Sequence, residues 1–329
     1  MKDIPPSVTY SPIPVFLVCD TEYLPFALTT ILSVLEHCSR KIIFHLLHDG
    51  SISPREIKTA QTLVSTAGGE IVFTKWQNGD CFKTWSKRFP PLVYVRLLLP
   101  EMFPQYDRAI FMDADILVSK DISELYNFDL KGKFIGAVPE GTWINSYKQN
   151  VPLDKKFQNI GFAEYYDKLG FSPQNTYYNA GVLLLDMKEL RKANAAGILL
   201  KHAYGDLLYQ DQDILNVFMN DWIAPLPTCW NKTYRLGEYE AGTMRHFIDK
   251  PWQNSSRGGD FGNYWRSLQK NTPFFYRARA ELIICEIEAS INSLWRQPGD
   301  SALKALLKLS WYLVGAAIRR IKKLTNSFF

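Results

Sequence analysis

Asp113-Ala114-Asp115 follows a short apolar run, Ala109 to Met112, that reads as a buried strand. Side chains two apart on extended backbone point to one side, so these two carboxylates can converge on one hard cation at the strand's carboxyl end. Acids after a strand also cap turns; their place behind an apolar strand is what favours the metal. A second pair, Asp211-Gln212-Asp213, runs into Ile214-Leu215. There Asp213 reads as a helix cap, and on its own Asp211 could simply cap the same helix. His246 and Lys250 stand together in His246-Phe247-Ile248-Asp249-Lys250. An imidazole among carboxylates suits Mn²⁺ better than Ca²⁺, although a lone histidine is more often structural. A lysine near a metal can neutralise charge on a departing diphosphate. The chain has no G-x-G-x-x-G and no G-x-x-x-x-G-K-[ST], so any phosphate must be held by metal and side chains.

The elements that would position these groups alternate. Residues 13–19 form an apolar strand, and 24–37 carry apolar residues at helical spacing. A strand at 42–48 precedes a helix at 54–67, opened by Ser53 as N-cap, Pro54 at its first position and Glu56 completing a capping box. Gly68-Gly69 ends that helix, and a strand follows at 70–74. A helix near 92–99, the strand 109–112 and apolar runs at 134–138 and 182–185 continue the pattern. Strands apolar on both faces between helices imply a doubly wound, mostly parallel α/β sheet. Such sheets bind ligands beyond the carboxyl ends of their strands.

Ordered blocks then add up to a resemblance. They are Val18-Cys-Asp20-Thr-Glu-Tyr23, Tyr94-Val-Arg96-Leu, Phe111-Met-Asp-Ala-Asp115-Ile-Leu-Val118, Tyr178-Asn179-Ala-Gly181-Val-Leu-Leu-Leu185, Tyr209-Gln-Asp211-Gln212-Asp213-Ile-Leu-Asn216, and His246 to Trp252. With these the chain resembles glycosyltransferase family 8, retaining nucleotide-sugar transferases of the glycosyltransferase-A type. The resemblance implies that Asp113, Asp115 and His246 bind Mn²⁺, with Mg²⁺ as a substitute, bridging the phosphates of UDP. It implies that Asp20 and Tyr23 hold the uracil, that Arg96, Asp113 and Ala114 reach the donor sugar, and that Lys250 reaches the diphosphate. Asn179, Ala180, Asp211 and Gln212 would line the donor-sugar and acceptor site, with Gln212 and Asp211 nearest the chemistry and Glu140 where the family often has an aspartate. Taken without the other blocks, Asn179-Ala-Gly181 reads as a turn into a strand. The implied reaction moves galactose or glucose from a UDP-sugar to an oligosaccharide or glycolipid acceptor such as lipopolysaccharide core. The rivals are a metal-dependent nucleotidyltransferase or phosphohydrolase, and a non-catalytic sugar- or partner-binding relative. The latter would suit the His246–Lys250 loop, which is shorter than the family's.

Composition narrows the field further. The chain has 329 residues, 47% hydrophobic, 22% charged and 14% aromatic, the profile of a globular protein. Its net charge of +5 is concentrated in the last stretch, where Lys304, Lys308, Arg319, Arg320, Lys322 and Lys323 face no acid. The body before it is nearly neutral, which argues against a nucleic-acid partner. Five scattered cysteines without metal-ligand spacing argue against structural zinc and a disulfide framework. The N-terminus lacks the apolar run of a signal peptide, so a cytoplasmic location is expected. We divide the chain into a catalytic domain at 8–252 and an accessory region at 253–329. Within the latter, 302–324 form a basic amphipathic helix suited to docking on an anionic membrane surface.

Overall fold

The structure is a computed structural model describing residues 11–77, 91–153, 157, 159–203, 207–233, 241–248, 259–270, 274–275 and 278. It opens with β1 (Ile13–Val18), α1 (Leu24–His37), β2 (Ile42–His48), α2 (Pro54–Thr66) and β3 (Glu70–Lys75). These match the expected elements, and the capping box is present. Ser53 Oγ accepts from the Glu56 N–H at 3.2 Å, and Glu56 Oε2 accepts from the Ser53 N–H at 2.8 Å. Gly68, at φ +85°, supplies the left-handed residue that ends α2. A 3₁₀ turn at Pro91–Tyr94 leads into α3 (Val95–Met102), then β4 (Arg108–Met112), β5 (Ile116–Val118), α4 (Ile122–Tyr126) and β6 (Ile135–Pro139). After α5 (Trp143–Gln149) and α6 (Phe162–Lys168) come β7 (Tyr178–Asp186), α7 (Met187–Lys192), α8 (Ala195–His202) and α9 (Asp211–Phe218). The described chain closes with β8 (Ile223–Pro225), β9 (Lys232–Thr233), β10 (Met244–His246) and α10 (Gly259–Gln269).

Seven strands form one sheet in the order β3-β2-β1-β4-β7-β6-β8, and β5, β10 and β9 form a second, small sheet. In the large sheet β7 alone runs against the others, antiparallel to both β4 and β6. It also starts earlier than the apolar run 182–185 suggests, so Asn179-Ala180-Gly181 lies inside the strand and is not a turn leading into it. β6 pairs with it at Tyr178 and Asn179 and, after a register shift between Ala137 and Val138, again from Leu183, while β4 pairs with it from Val182.

Alternate residues of the central strands feed two cores. Val15, Leu17, Ile110, Met112, Val182 and Leu184 pack with α1 on one face. Phe16, Phe111, Leu183 and Leu185 pack with α3, α8 and α9 on the other. A third, aromatic cluster gathers Trp143, Phe162, Tyr165, Tyr166, Phe171 and Tyr177 beneath α5 and α6. The Trp143 and Tyr177 rings stack there at 5.3 Å. In the stretch read as accessory, α10 sets Tyr264, Trp265 and Leu268 against Phe26, Leu117 and Phe247, and Lys270 pairs with Glu36 at 2.7 Å. This helix packs directly on α1 and the small sheet. The basic segment 302–324 lies outside the described residues.

His45 on β2 is buried against Phe16, ring centroids 4.8 Å apart, with Nε2 2.9 Å from the Tyr106 hydroxyl. Burial lowers its pKa to about 4. The unfolded chain takes up this proton below about pH 6.5, the folded chain only near 4, so stability is complete above the first value and declines as pH falls through the window. Urea midpoints measured from pH 7 to 4 should therefore fall more steeply for the wild type than for His45→Gln. Parallel curves would show that His45 is not the group being charged.

Candidate functional site

The Asp113-Ala114-Asp115 loop joins β4 to β5 and is held from three sides. The Asp113 N–H donates to Gly181 O at 2.8 Å, and the Phe247 N–H donates to Asp115 O at 2.9 Å. From α1, Thr30 Oγ1 lies 2.7 Å from Ile116 O and 3.0 Å from Ala114 O, and accepts from the Ile116 N–H at 3.3 Å. Ser33 Oγ accepts the Val118 N–H at 3.0 Å. These buried hydroxyls of α1 satisfy N–H and C=O groups of the loop and of the β5 edge that faces the helix.

The small sheet delivers the third side chain. His246 pairs antiparallel with Ile116, just after the loop. Its Nε2 stands 3.3 Å from Asp115 Oδ1 and 3.8 Å from Asp113 Oδ2, and one ligand atom from each of the three residues lies within 4.8 Å of the others. An ion held about 2.1 Å from each of several ligands needs those atoms roughly 3–4 Å apart, so two carboxylates and an imidazole nitrogen fit a divalent cation here. Both sides of the ring are engaged, since Nδ1 lies 3.0 Å from Asn231 Oδ1. The imidazole also packs on bare backbone. A Cβ added at Gly181 would come within 2.4 Å of His246 Cε1 and 2.7 Å of Nδ1.

Arg96, in the first turn of α3, links this cluster to α9. Its Nη2 bonds Asp113 Oδ1 at 3.1 Å, Nη1 donates to Ala180 O at 2.6 Å, and the guanidinium lies 4.4 Å over the Phe111 ring. Nε sits 2.8 Å from Asp211 Oδ2 as an ion pair, with its N–H turned toward the Val93 carbonyl. Burial alone would depress the Arg96 pKa, but Asp113 and Asp211 outweigh it and the net shift is upward. Burial pushes the Asp211 carboxyl up to about 7 against the pull of Arg96, with the charge of Asp113 adding to the rise. Gln212 accepts the Ala180 N–H at 2.9 Å, and Asn179 Nδ2 donates to Glu140 Oε2 at 3.0 Å.

Asp213, read as a cap, lies inside the first turn of α9, whose N-cap position is Gln210, and caps nothing. Its carboxylate accepts the N–H of Tyr209 at 2.9 Å and the hydroxyls of Tyr165, Tyr166 and Tyr177 at 3.0, 2.7 and 2.6 Å. Gln210, which precedes α9 at φ +50°, is fully buried and bonded to the Tyr94 hydroxyl. Asp113, Ala114, Asp115, His246, Arg96, Glu140, Asn179, Ala180, Asp211 and Gln212 are thus brought together. Asp20 and Tyr23 sit one strand over, at the carboxyl edge of β1, where Asp20 Oδ1 accepts the Tyr23 N–H at 2.8 Å and burial raises the Asp20 pKa. Lys250 lies outside the described residues. Sequence reasoning missed Asn231, Thr30 and the tyrosine trio, none of which carries a local signal of its role.

A family model described as Glycosyl transferase family 8 matches residues 14–255, most of the chain. The chain belongs to glycosyl transferase family 8. Among relatives of this family 8 protein, a candidate glycosyltransferase of Haemophilus influenzae is 27% identical over 207 residues, 60% of this chain and 56% of the relative. Glycosyltransferase GlyF of Streptococcus pneumoniae is 25% identical over 261 residues, 74% of this chain and 58% of the relative. The family 8 chain therefore spans little more than half the length of either. In fold it is similar to galactosyltransferase LgtC, solved with donor and acceptor sugar analogues, at TM-score 0.67 and 21% identity over 82% of this chain and 100% of that one. The bifunctional glycosyltransferase WbbM superposes at TM-score 0.69 and 19% identity over 83% of this chain and 52% of that one. The architecture is that of the glycosyltransferase-A fold.

In this family 8 chain Gly181→Ala should force the His246 ring off its place. We expect divalent-ion affinity, read by titration calorimetry with Mn²⁺, to drop at least about tenfold, with the melting temperature lowered by overpacking. Wild-type affinity in that variant would mean the ring has room that the geometry denies it.

Proposed function

We propose that this chain is a UDP-sugar-dependent hexosyltransferase that moves galactose or glucose to a cell-envelope oligosaccharide acceptor, such as lipopolysaccharide core, with retention of anomeric configuration. The observation that carries this reading is the convergence of Asp113, Asp115 and His246 at the carboxyl edge of the sheet, the side on which α/β sheets take their ligands. The donor set of two carboxylates and one imidazole suits Mn²⁺, with Mg²⁺ as the substitute. A bound divalent ion supplies positive charge opposite a departing diphosphate.

In this reading the chain's own residues bind and orient. Asp20 and Tyr23 hold the uracil, Arg96, Ala114 and Lys250 meet the sugar and diphosphate, and Glu140, Asn179 and Ala180 line the sugar pocket. Gln212 and Asp211 stand nearest the transferred sugar. The buried guanidinium of Arg96 keeps its positive charge between Asp113 and Asp211, which holds that wall of the pocket rigid. LgtC, the similarly folded galactosyltransferase, binds donor and acceptor sugar analogues, which supports transfer between two sugar ligands. No helix of the described residues is long and apolar enough to cross a membrane. The basic segment 302–324 suits peripheral docking at the cytoplasmic face of an anionic membrane.

Release of UDP and transfer of sugar should be measured across a panel of UDP-sugars with Mn²⁺. UDP-galactose or UDP-glucose should turn over, chelation should abolish turnover, and Asp113→Ala or Asp115→Ala should lower kcat/KM by about a hundredfold or more. Inertness toward every donor would favour a non-catalytic relative, and full activity in both aspartate variants would remove the metal from the mechanism.

A further inference from the structure

Resting on the reading of Asp113, Asp115 and His246 as a divalent-cation site, we propose that Glu140, Asn179 and Asn231 form a hydrogen-bond relay that keeps a proton on His246 Nδ1 and so makes Nε2 the nitrogen presented to the cation. Asn231 is then a positioning residue, and Glu140 anchors the metal site from a distance.

The direction of the relay follows from what each end can do. Glu140 follows β6, and an ionised carboxylate only accepts. Asn179 must therefore present its amide nitrogen to it, and Nδ2 lies 3.0 Å from Glu140 Oε2. The Asn179 oxygen is then turned the other way, where the Gly181 N–H, which can only donate, meets it at 2.9 Å. One amide is thus pinned from both sides. Asn231 Nδ2 donates to that same Asn179 oxygen at 2.8 Å, so the Asn231 oxygen is the atom left to face His246 Nδ1, 3.0 Å away. Two acceptors cannot share a hydrogen bond, hence Nδ1 must carry a proton. The remaining nitrogen, Nε2, looks at Asp115 Oδ1 and Asp113 Oδ2. With Nδ1 committed to Asn231, Nε2 is the nitrogen aimed at the two carboxylates, where a cation between them would take the place of a proton.

Burial makes the relay matter. Asn231, Asn179 and His246 are 1%, 7% and 6% exposed, so water cannot readily replace a missing partner. Thr142 Oγ1 occupies the other Glu140 oxygen at 3.1 Å and fixes the carboxylate plane. Outer partners of a ligating histidine fix both its tautomer and its ring orientation. Here they come from the end of β6, from β7 and from the turn before β9, so packing of both sheets is written into the protonation of one ring.

The test is long-range ¹H–¹⁵N NMR of the imidazoles in the full chain without metal. His246 is identified among the five histidines by the signal lost in His246→Gln. The relay requires a proton on Nδ1 in the wild type, the nitrogen that neutral free histidine prefers to leave bare. Asn231→Leu, which keeps the branched outline without the polar atoms, should lose that signature and bind Mn²⁺ about 10–100-fold more weakly in calorimetry. A wild-type ring protonated on Nε2 alone overturns the relay whether or not Asn231→Leu folds, and so does undiminished Mn²⁺ affinity in a folded Asn231→Leu. A wild type that shows Nδ1–H yet binds no Mn²⁺ overturns the metal reading and leaves the tautomer assignment standing.

Discussion

Asp113, Asp115 and Asp211 bring three carboxylates to one largely buried corner, and two of them share the single guanidinium of Arg96. At an effective dielectric of about 20, like charges 4 Å apart repel by about 4 kcal/mol, and removal from water costs several kcal/mol more per ion. The rise of the Asp211 carboxyl to about 7 is that cost made visible. A corner loaded this way relaxes by swinging its acids apart unless the backbone beneath them is fixed. The backbone is fixed: Thr30 and Ser33 hold the turn from below, Gly181 O from the side and the Phe247 N–H from the small sheet. The same crowding makes the corner selective for positive charge, because only a cation lowers the repulsion that the fold refuses to relieve by motion.

The reversed strand is what lets one edge of the sheet collect so many groups. β4 ends at Met112, paired with Val182 of β7. Because β7 runs the opposite way, the residues before Val182 continue past the end of β4 instead of receding beneath it. Asn179, Ala180 and Gly181 therefore overhang the acidic loop, where the Ala180 carbonyl holds Arg96 and Gly181 makes room for His246. A parallel strand of the same sequence would carry those three residues to the far edge of the sheet.

That reversal also marks where the sequence stops being legible. The first five elements can be read from apolar spacing and one capping box, since both signals are local to the segment that folds. The acidic pair at the end of β4 is readable for the same reason, and His246 through the ordered blocks around it. Strand direction is not readable, because β7 is apolar on both faces and looks the same whichever way its neighbours run. Asn231 is silent too: between Trp230 and Lys232 it reads as a turn residue, and its meaning arises only when β7 and β10 arrive on either side. Reading Asp213 as a cap fails on distance along the chain, since its three tyrosine partners lie 36 to 48 residues upstream.

Asp211, Gln212 and Asp213 show how a short helix can tie three walls together. Successive helix positions point about 100° apart, so three neighbours at one terminus cannot serve one surface. Asp211 turns to Arg96 and the acidic loop, Gln212 to the backbone of β7, and Asp213 to the aromatic cluster under α5 and α6. The first turn of a helix tolerates carboxylates because its free N–H groups and dipole favour negative charge, which lets two acids be buried there. Gln210 supplies the positive-φ backbone that aims the turn, and its burial against Tyr94 leaves that conformation no freedom to relax. The aromatic cluster thereby acts on the acidic corner at second hand. By gripping Asp213 it sets the rotation of α9, and that rotation decides whether the Asp211 charge falls on Arg96 or adds unopposed to that of Asp113.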